Sequence, residues 1–104
     1  MVEIFVEKFG GASVNTAAAV KNVISILKRE SKKRVVVVSA MGKTTNALER
    51  IVNLWHKENR VNEEEYSALL SYHFEIIEGL FEDEEAKNAC KSLVGLIIEE
   101  SRAK

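Results

Sequence analysis

The stretch "RVVVVSA", Arg34 to Ala40, constrains the fold more than any other part of this 104-residue chain. Consecutive β-branched residues form a strand readily, because their stiff side chains pack well on a pleated surface. A run without polar alternation suits a strand covered on both faces, the condition of a parallel sheet sandwiched by helices. Upstream, "VEIFV" (Val2 to Val6) is a second β-rich run. Between the two, Val20, Val23, Ile24 and Leu27 recur at helical spacing, from a start near Asn15 or Thr16. This order predicts a βαβ unit. Its crossover is expected to be right-handed, because a right-twisted strand feeding a helix packs back onto the sheet almost only that way.

Downstream the pattern is helical throughout. Leu48, Ile51, Val52 and Trp55 form one stripe, on a helix beginning near Asn46 and interrupted at Asn59 and Arg60. Asn62 reads as the N-cap of a third helix, with Glu65 three residues on and acidic residues at 63 to 65 that suit a helix N-terminus. Its stripe is Tyr66, Leu69, Leu70, His73, Ile76, Ile77 and Leu80. A fourth helix starts near Asp83, with Glu84 and Glu85 in its first turn and a stripe of Ala86, Cys90, Leu93, Val94 and Ile97. The last two are expected to form a helical hairpin packed on the βαβ unit. Residues 1–48 then hold the βαβ core and residues 49–104 a helical region. Two strands are few for a parallel sheet, which suggests a piece of a larger α/β domain.

Composition narrows the class. Hydrophobic residues at 46% and charged residues at 30% fit an ordinary globular domain, and 15 basic against 16 acidic side chains give a formal charge of -1. No basic stripe advertises nucleic acid. The densest cluster, Lys28, Arg29, Lys32, Lys33 and Arg34, falls where a helix ends and a strand begins, which is ordinary helix-end solvation. The single Cys90 excludes an internal disulfide framework and reads as a small buried hydrophobe on a helix face rather than a nucleophile. No apolar run approaches the roughly 18 residues of a membrane span, and Glu3 and Glu7 follow Met1 without a basic leader, so a cytoplasmic location is expected. His56 and His73 lack partners at ligand spacing, so no metal site is read. His73, within an apolar stripe, reads as a hydrogen-bonded core histidine.

Two strand-end motifs carry the chemistry. "KFGGAS" (Lys8 to Ser13) joins the first strand to the first helix. Gly10 and Gly11 let the backbone turn sharply and approach a ligand, with amides free to face phosphate oxygens and a helix dipole favouring the negative charge. Lys8 adds a point charge and Ser13 a hydroxyl; the same six residues also read as a tight turn beside a surface lysine. "SAMGKTTNAL" (Ser39 to Leu48) follows the second strand. It is not a P-loop: the pattern G-x-x-x-x-G-K-[ST] needs glycine at position 37, where Val37 stands. In an open α/β sheet both loops face the ligand-binding rim. Ser39 and Thr45 suit either a polar substrate or local capping, while Thr44 and Asn46 read mainly as caps.

The pairing of "KFGGAS" with "VVVVSAMGKTTNAL" resembles the amino-terminal segment of the aspartate kinases, in the amino acid kinase superfamily. Strong resemblance runs from Val2 to Leu48 and is looser to Lys104. It implies an amino-terminal portion, residues 1–104, of the three-layer amino acid kinase fold, and transfer of the ATP γ-phosphate to the side-chain carboxylate of L-aspartate, the first step of lysine, threonine and methionine synthesis. By the same resemblance Lys8 neutralises the transferring phosphate, Gly10 and Gly11 bring amides to it, and Ser13 contributes nearby. Ser39 and Thr45 hold the amino acid, and Mg2+ accompanies the nucleotide. Ala12 stands where many members have threonine. Lys43 is then no Walker lysine, and its loop faces aspartate rather than phosphate. The remaining substrate anchors and the adenine pocket belong to sequence beyond residue 104, so the chain alone is expected to lack kinase activity. A non-catalytic folding or association module, a homo-oligomer, and a related kinase for another acid stay open.

Overall fold

A computed structural model describes residues 3–29 and 33–103. They fall into two units, Met1–Lys43 and Thr44–Lys104. The first is a βαβ unit: β1 (Phe5–Phe9), a four-residue 3-10 turn (Gly11–Val14), α1 (Ala17–Lys28) and β2 (Arg34–Val38). The second holds three helices, α2 (Thr44–Glu58), α3 (Glu63–Leu80) and α4 (Glu84–Ala103). The α/β class and the order of a βαβ unit followed by a helical hairpin agree with the sequence reading. Among the described residues no helix is long and apolar enough to cross a membrane.

The strands pair in parallel, Phe5 with Arg34 through Phe9 with Val38. β1 therefore lies later in the chain than the predicted Val2–Val6, and Val2 is outside the described residues. Composition favoured the apolar run, yet the ladder incorporates Glu7 and Lys8. Glu7 is accommodated because its carboxylate accepts a hydrogen bond from the Arg34 guanidinium at 3.1 Å, between two largely covered side chains. β2 ends at Val38, two residues earlier than predicted; Lys32 of the basic cluster is also outside the described residues.

Directly paired residues of a parallel ladder share a face, and successive residues alternate. Phe5, Glu7, Phe9, Arg34, Val36 and Val38 share one face, on which Glu7, Phe9, Arg34 and Val36 are half-buried and the end residues Phe5 and Val38 exposed; Val6, Lys8, Val35 and Val37 form the other. Val6 is 71% and Val35 51% exposed, so the expectation of a strand covered on both faces fails within this chain. The sheet has one covered face here. Val14 and Val23 are its buried anchors, from the 3-10 turn and from α1. α1 starts where the sequence suggests, with Thr16 as N-cap accepting from the Ala19 N–H at 3.1 Å. Ile24 lies outward and Ile26 turns in.

In the helical unit α3 packs against both α2 and α4. The α3 stripe is as predicted: Leu69, Ile76 and Ile77 are buried, and Tyr66, Leu70, His73 and Leu80 half-buried. α2 differs. It buries Ala47 and Ile51 with Leu54 half-buried, and leaves Leu48, Val52 (62% exposed) and Trp55 (53%) outside. It starts at Thr44 rather than near Asn46. α4 turns Ala86, Cys90, Val94 and Ile98 inward and leaves Leu93, Leu96 and Ile97 exposed. Cys90 is thus half-buried rather than buried. Both helices are apolar around more than one face, so the periodicity identified two stripes where one neighbour occupies one.

The connections follow local chemistry. Asn59 takes φ 52, and its N–H donates to the Trp55 carbonyl at 2.8 Å, closing α2 in the left-handed conformation that asparagine tolerates. Asn62 Oδ1 accepts from the Glu65 N–H at 3.1 Å, the cap read from sequence, and Asp83 Oδ2 accepts from the Ala86 N–H at 3.3 Å. Removing the cap with Asn62→Ala is expected to cost about 1 kcal/mol in urea unfolding. An unchanged midpoint would mean that the cap does not form in solution.

Ion pairs join the helices. Arg50 on α2 pairs with Glu65 on α3, Arg102 on α4 with Glu63, and Lys91 and Lys87 on α4 with Glu78. Hydrogen bonds from Arg102, from Arg50, and from Lys91 and Lys87 hold the carboxyls of Glu63, Glu65 and Glu78, respectively, below their ordinary value of 4.5. A depressed folded-state value stabilises above the unfolded one and loses that stabilisation as pH falls through it. Glu63 and Glu78 are exposed and Glu65 is half-buried at the surface, so the effect is small and salt-sensitive. The helical melting midpoint is expected to fall between about pH 5 and about pH 3, more steeply at low salt, with Glu63→Gln/Glu65→Gln/Glu78→Gln flattening the dependence. Identical pH profiles for variant and parent would remove these pairs from the account.

Candidate functional site at the strand ends

The ladder register decides where the loops emerge. Phe9 and Val38 form the last rung, so Gly10 and Ser39 leave the sheet side by side. The Ser39 N–H donates to the Phe9 carbonyl at 3.0 Å, carrying the pairing one step past the strands. Both loops thus leave the carboxyl edge of the strands, where open α/β sheets bind ligands.

In the first loop Gly10 is extended, at φ -76 and ψ 177, and its carbonyl accepts from the Ser13 N–H at 3.0 Å. Val14, 3% exposed, ties the far end of the turn into the core. The amides of Gly11 and Ala12 have no acceptor among the described residues. A helix dipole contributes less than the sequence suggests. The 3-10 turn intervenes, α1 begins only at Ala17, and the Thr16 hydroxyl already occupies its cap. A macrodipole acts over its first turn, so an anion at Gly10 to Ser13 would be met by the loop's own amides and by Lys8.

Lys8 stands on β1 itself, on the rung with Val37, and is exposed. The pleat separates it from its neighbour Glu7, whose carboxylate Arg34 occupies. No described residue pairs with Lys8. Ser13 and Ser39 are exposed, Gly11 half-buried. The strand unit therefore brings Lys8, Gly10, Gly11, Ser13 and Ser39 to one rim. Thr45 belongs to the helical unit, exposed in the first turn of α2.

The sequence reading gave Gly42 no structural role. Its φ of 54 lies in the left-handed region, and its N–H donates to the Gly11 carbonyl at 3.1 Å. The isolated glycine between Met41 and Lys43 was the signal, as a turn position that favours positive φ.

Elsewhere the helical unit contains an open cavity of about 340 Å³, lined mainly by apolar residues including Leu48, Leu69, Val94 and Ile97. None of the proposed site residues lines it. His73 reaches it and is half-buried, with Nδ1 2.8 Å from the Leu69 carbonyl, the hydrogen-bonded role expected of it. Among the described residues no cluster of three or more His, Cys, Asp or Glu could hold a metal ion.

The amino acid kinase family matches residues 3–100 of the chain. An aspartokinase from Rickettsia bellii (strain RML369-C) is 38% identical over 72 residues, covering 65% of this chain and 18% of that protein. The chain therefore spans a minor part of the length of this curated relative. With all but its first two and last four residues matched, the chain belongs to the amino acid kinase family.

Proposed function

We propose that the chain supplies the phosphate-facing and acid-facing strand-end loops of a kinase that phosphorylates the side-chain carboxylate of L-aspartate. The observation that carries this reading is the parallel register, which brings "KFGG" and "SAMG" to the same edge. The likeness to an aspartokinase supports the substrate. Lys8 balances charge on the transferring phosphoryl group, the amides following Gly10 donate to its oxygens, and Ser13 lies beside them. Ser39 and Thr45 hold the amino acid. A carboxylate oxygen attacks the γ-phosphorus, the bond to the bridging oxygen breaks, and ADP leaves. Charge on the equatorial oxygens is met by donors fixed in advance, which is where such sites gain most.

Neither loop contains a carboxylate, so these residues do not fit a protein-held Mg2+. The ion belongs to the nucleotide in this reading. A cytoplasmic location belongs to the same reading.

Amide NMR titration of the chain tests the proposal. MgATP is expected to shift the amides of residues 8–13, and L-aspartate those of Ser39 and Thr45. Lys8→Ala is expected to weaken MgATP about tenfold, in keeping with one charge-assisted hydrogen bond, while leaving aspartate unchanged. MgATP binding indifferent to Lys8→Ala would remove the assigned role. A coupled ADP-release assay on the chain alone is expected to show no turnover; turnover abolished by Lys8→Ala would overturn the reading of a partial site.

A second reading, a non-catalytic folding or association module, is favoured by the exposed stripes Leu48, Val52, Trp55 and Leu93, Leu96, Ile97. Concentration-dependent mass in sedimentation would support it, and a monomer at all concentrations would count against it.

A further inference from the structure

Gly10 and Gly11 are adjacent, yet the structure requires them to be glycine for different reasons. A Cβ built on Gly11 would lie 2.6 Å from the Gly42 carbonyl oxygen and 3.5 Å from the Ala40 carbonyl oxygen. The obstructing atoms are backbone, which no rotamer change can move aside. A Cβ on Gly10 would meet nothing within 4 Å, and its φ of -76 is open to any residue. The protein itself makes no demand for glycine at position 10.

From the other side, the Gly42 N–H donates to the Gly11 carbonyl at 3.1 Å, and its φ of 54 turns the second loop back toward the first. Each loop therefore places a carbonyl against the other glycine. The Ser39 bond to Phe9 ties the same two segments one step closer to the sheet.

We infer that Gly11 and Gly42 form a backbone lock that makes the two strand-end loops one body, with Gly42 a positioning residue for both ligands and Gly10 the position left open to a ligand. The ligand assignments rest on the function proposed above; the lock does not. Its consequence is coupling: a change at Gly42, in the acid-facing loop, disturbs phosphate binding in the other loop without touching phosphate. Valine at position 42 is forced toward the left-handed region that β-branched residues avoid, whereas asparagine accepts it.

The direct test is the trans-hydrogen-bond scalar coupling between the Gly42 nitrogen and the Gly11 carbonyl carbon in the ligand-free wild-type chain, expected to be detectable. In ligand-free variants, Gly11→Ala is expected to shift the amides of residues 40–43 and to speed Gly42 exchange about tenfold, the size of one lost hydrogen bond. Gly10→Ala is expected to leave the Gly42 amide unmoved, and Gly42→Asn to preserve the lock that Gly42→Val breaks. With ligands, Gly42→Val is expected to weaken MgATP and L-aspartate together, and Gly10→Ala MgATP alone. An absent coupling, or a Gly10→Ala variant that moves residues 40–43 as far as Gly11→Ala does, overturns the lock. If the wild-type chain shows the coupling but binds neither ligand, the lock stands and the reading of these loops as a binding site preformed in this chain falls.

Discussion

The in-register parallel pairing of β1 with β2 is the constraint on which the strand unit depends. Because Phe9 and Val38 close the ladder together, the chain leaves both strands at one level. A slip of one residue would put Lys8 and Val37 on different faces of the sheet and offset the loops that follow. The Glu7 to Arg34 ion pair lies across the ladder, near the start of β2, and favours this register over its neighbours.

The helical unit solves a different problem. α3 has neighbours on both sides and buries nearly everything apolar along it. α2 and α4 each carry apolar residues on two faces and meet α3 with one. The covered face of α2 uses the smaller Ala47, and α4 places Gly95 where a Cβ would come 3.8 Å from the Phe74 ring. A Cβ at that distance is an ordinary van der Waals contact, and larger side chains such as Trp55 and Leu96 remain outside. The open cavity in this unit is lined instead by larger side chains, Leu48, Leu69, Val94 and Ile97 among them.

Much of the fold was legible because backbone chemistry is local. Asn62 announced α3 through its side-chain oxygen, Thr16 announced α1, and the valine run announced β2. Errors arose where a residue's fate depends on a neighbour the sequence does not name. Leu48, Val52 and Trp55 have faultless helical spacing and lie outside, since periodicity reports an apolar face and not which face is met. Likewise apolar composition points β1 at Val2 to Val6, whereas pairing recruits Glu7 through a partner 27 positions away. For the site, residue types and their arrival at one rim were legible. The meeting of Gly11 with Gly42 was not, because neither has a side chain whose chemistry points at the other.

Charge sorting by the pleat connects the fold to the proposed chemistry. Glu7 and Lys8 are adjacent in sequence, and in a disordered chain the carboxylate could accompany the ammonium. In β1 they occupy opposite faces; Arg34 occupies the carboxylate, and Lys8 remains without a described partner beside a loop whose first amides have no acceptor among the described residues. An anion reaching this edge then meets a cation and N–H groups that no ion pair among the described residues occupies. Such donors cost little reorganisation when charge develops, although their exposure leaves water able to screen them. Their strength therefore depends on what excludes water from the rim, while their placement depends on the ladder and on the backbone contact between Gly11 and Gly42.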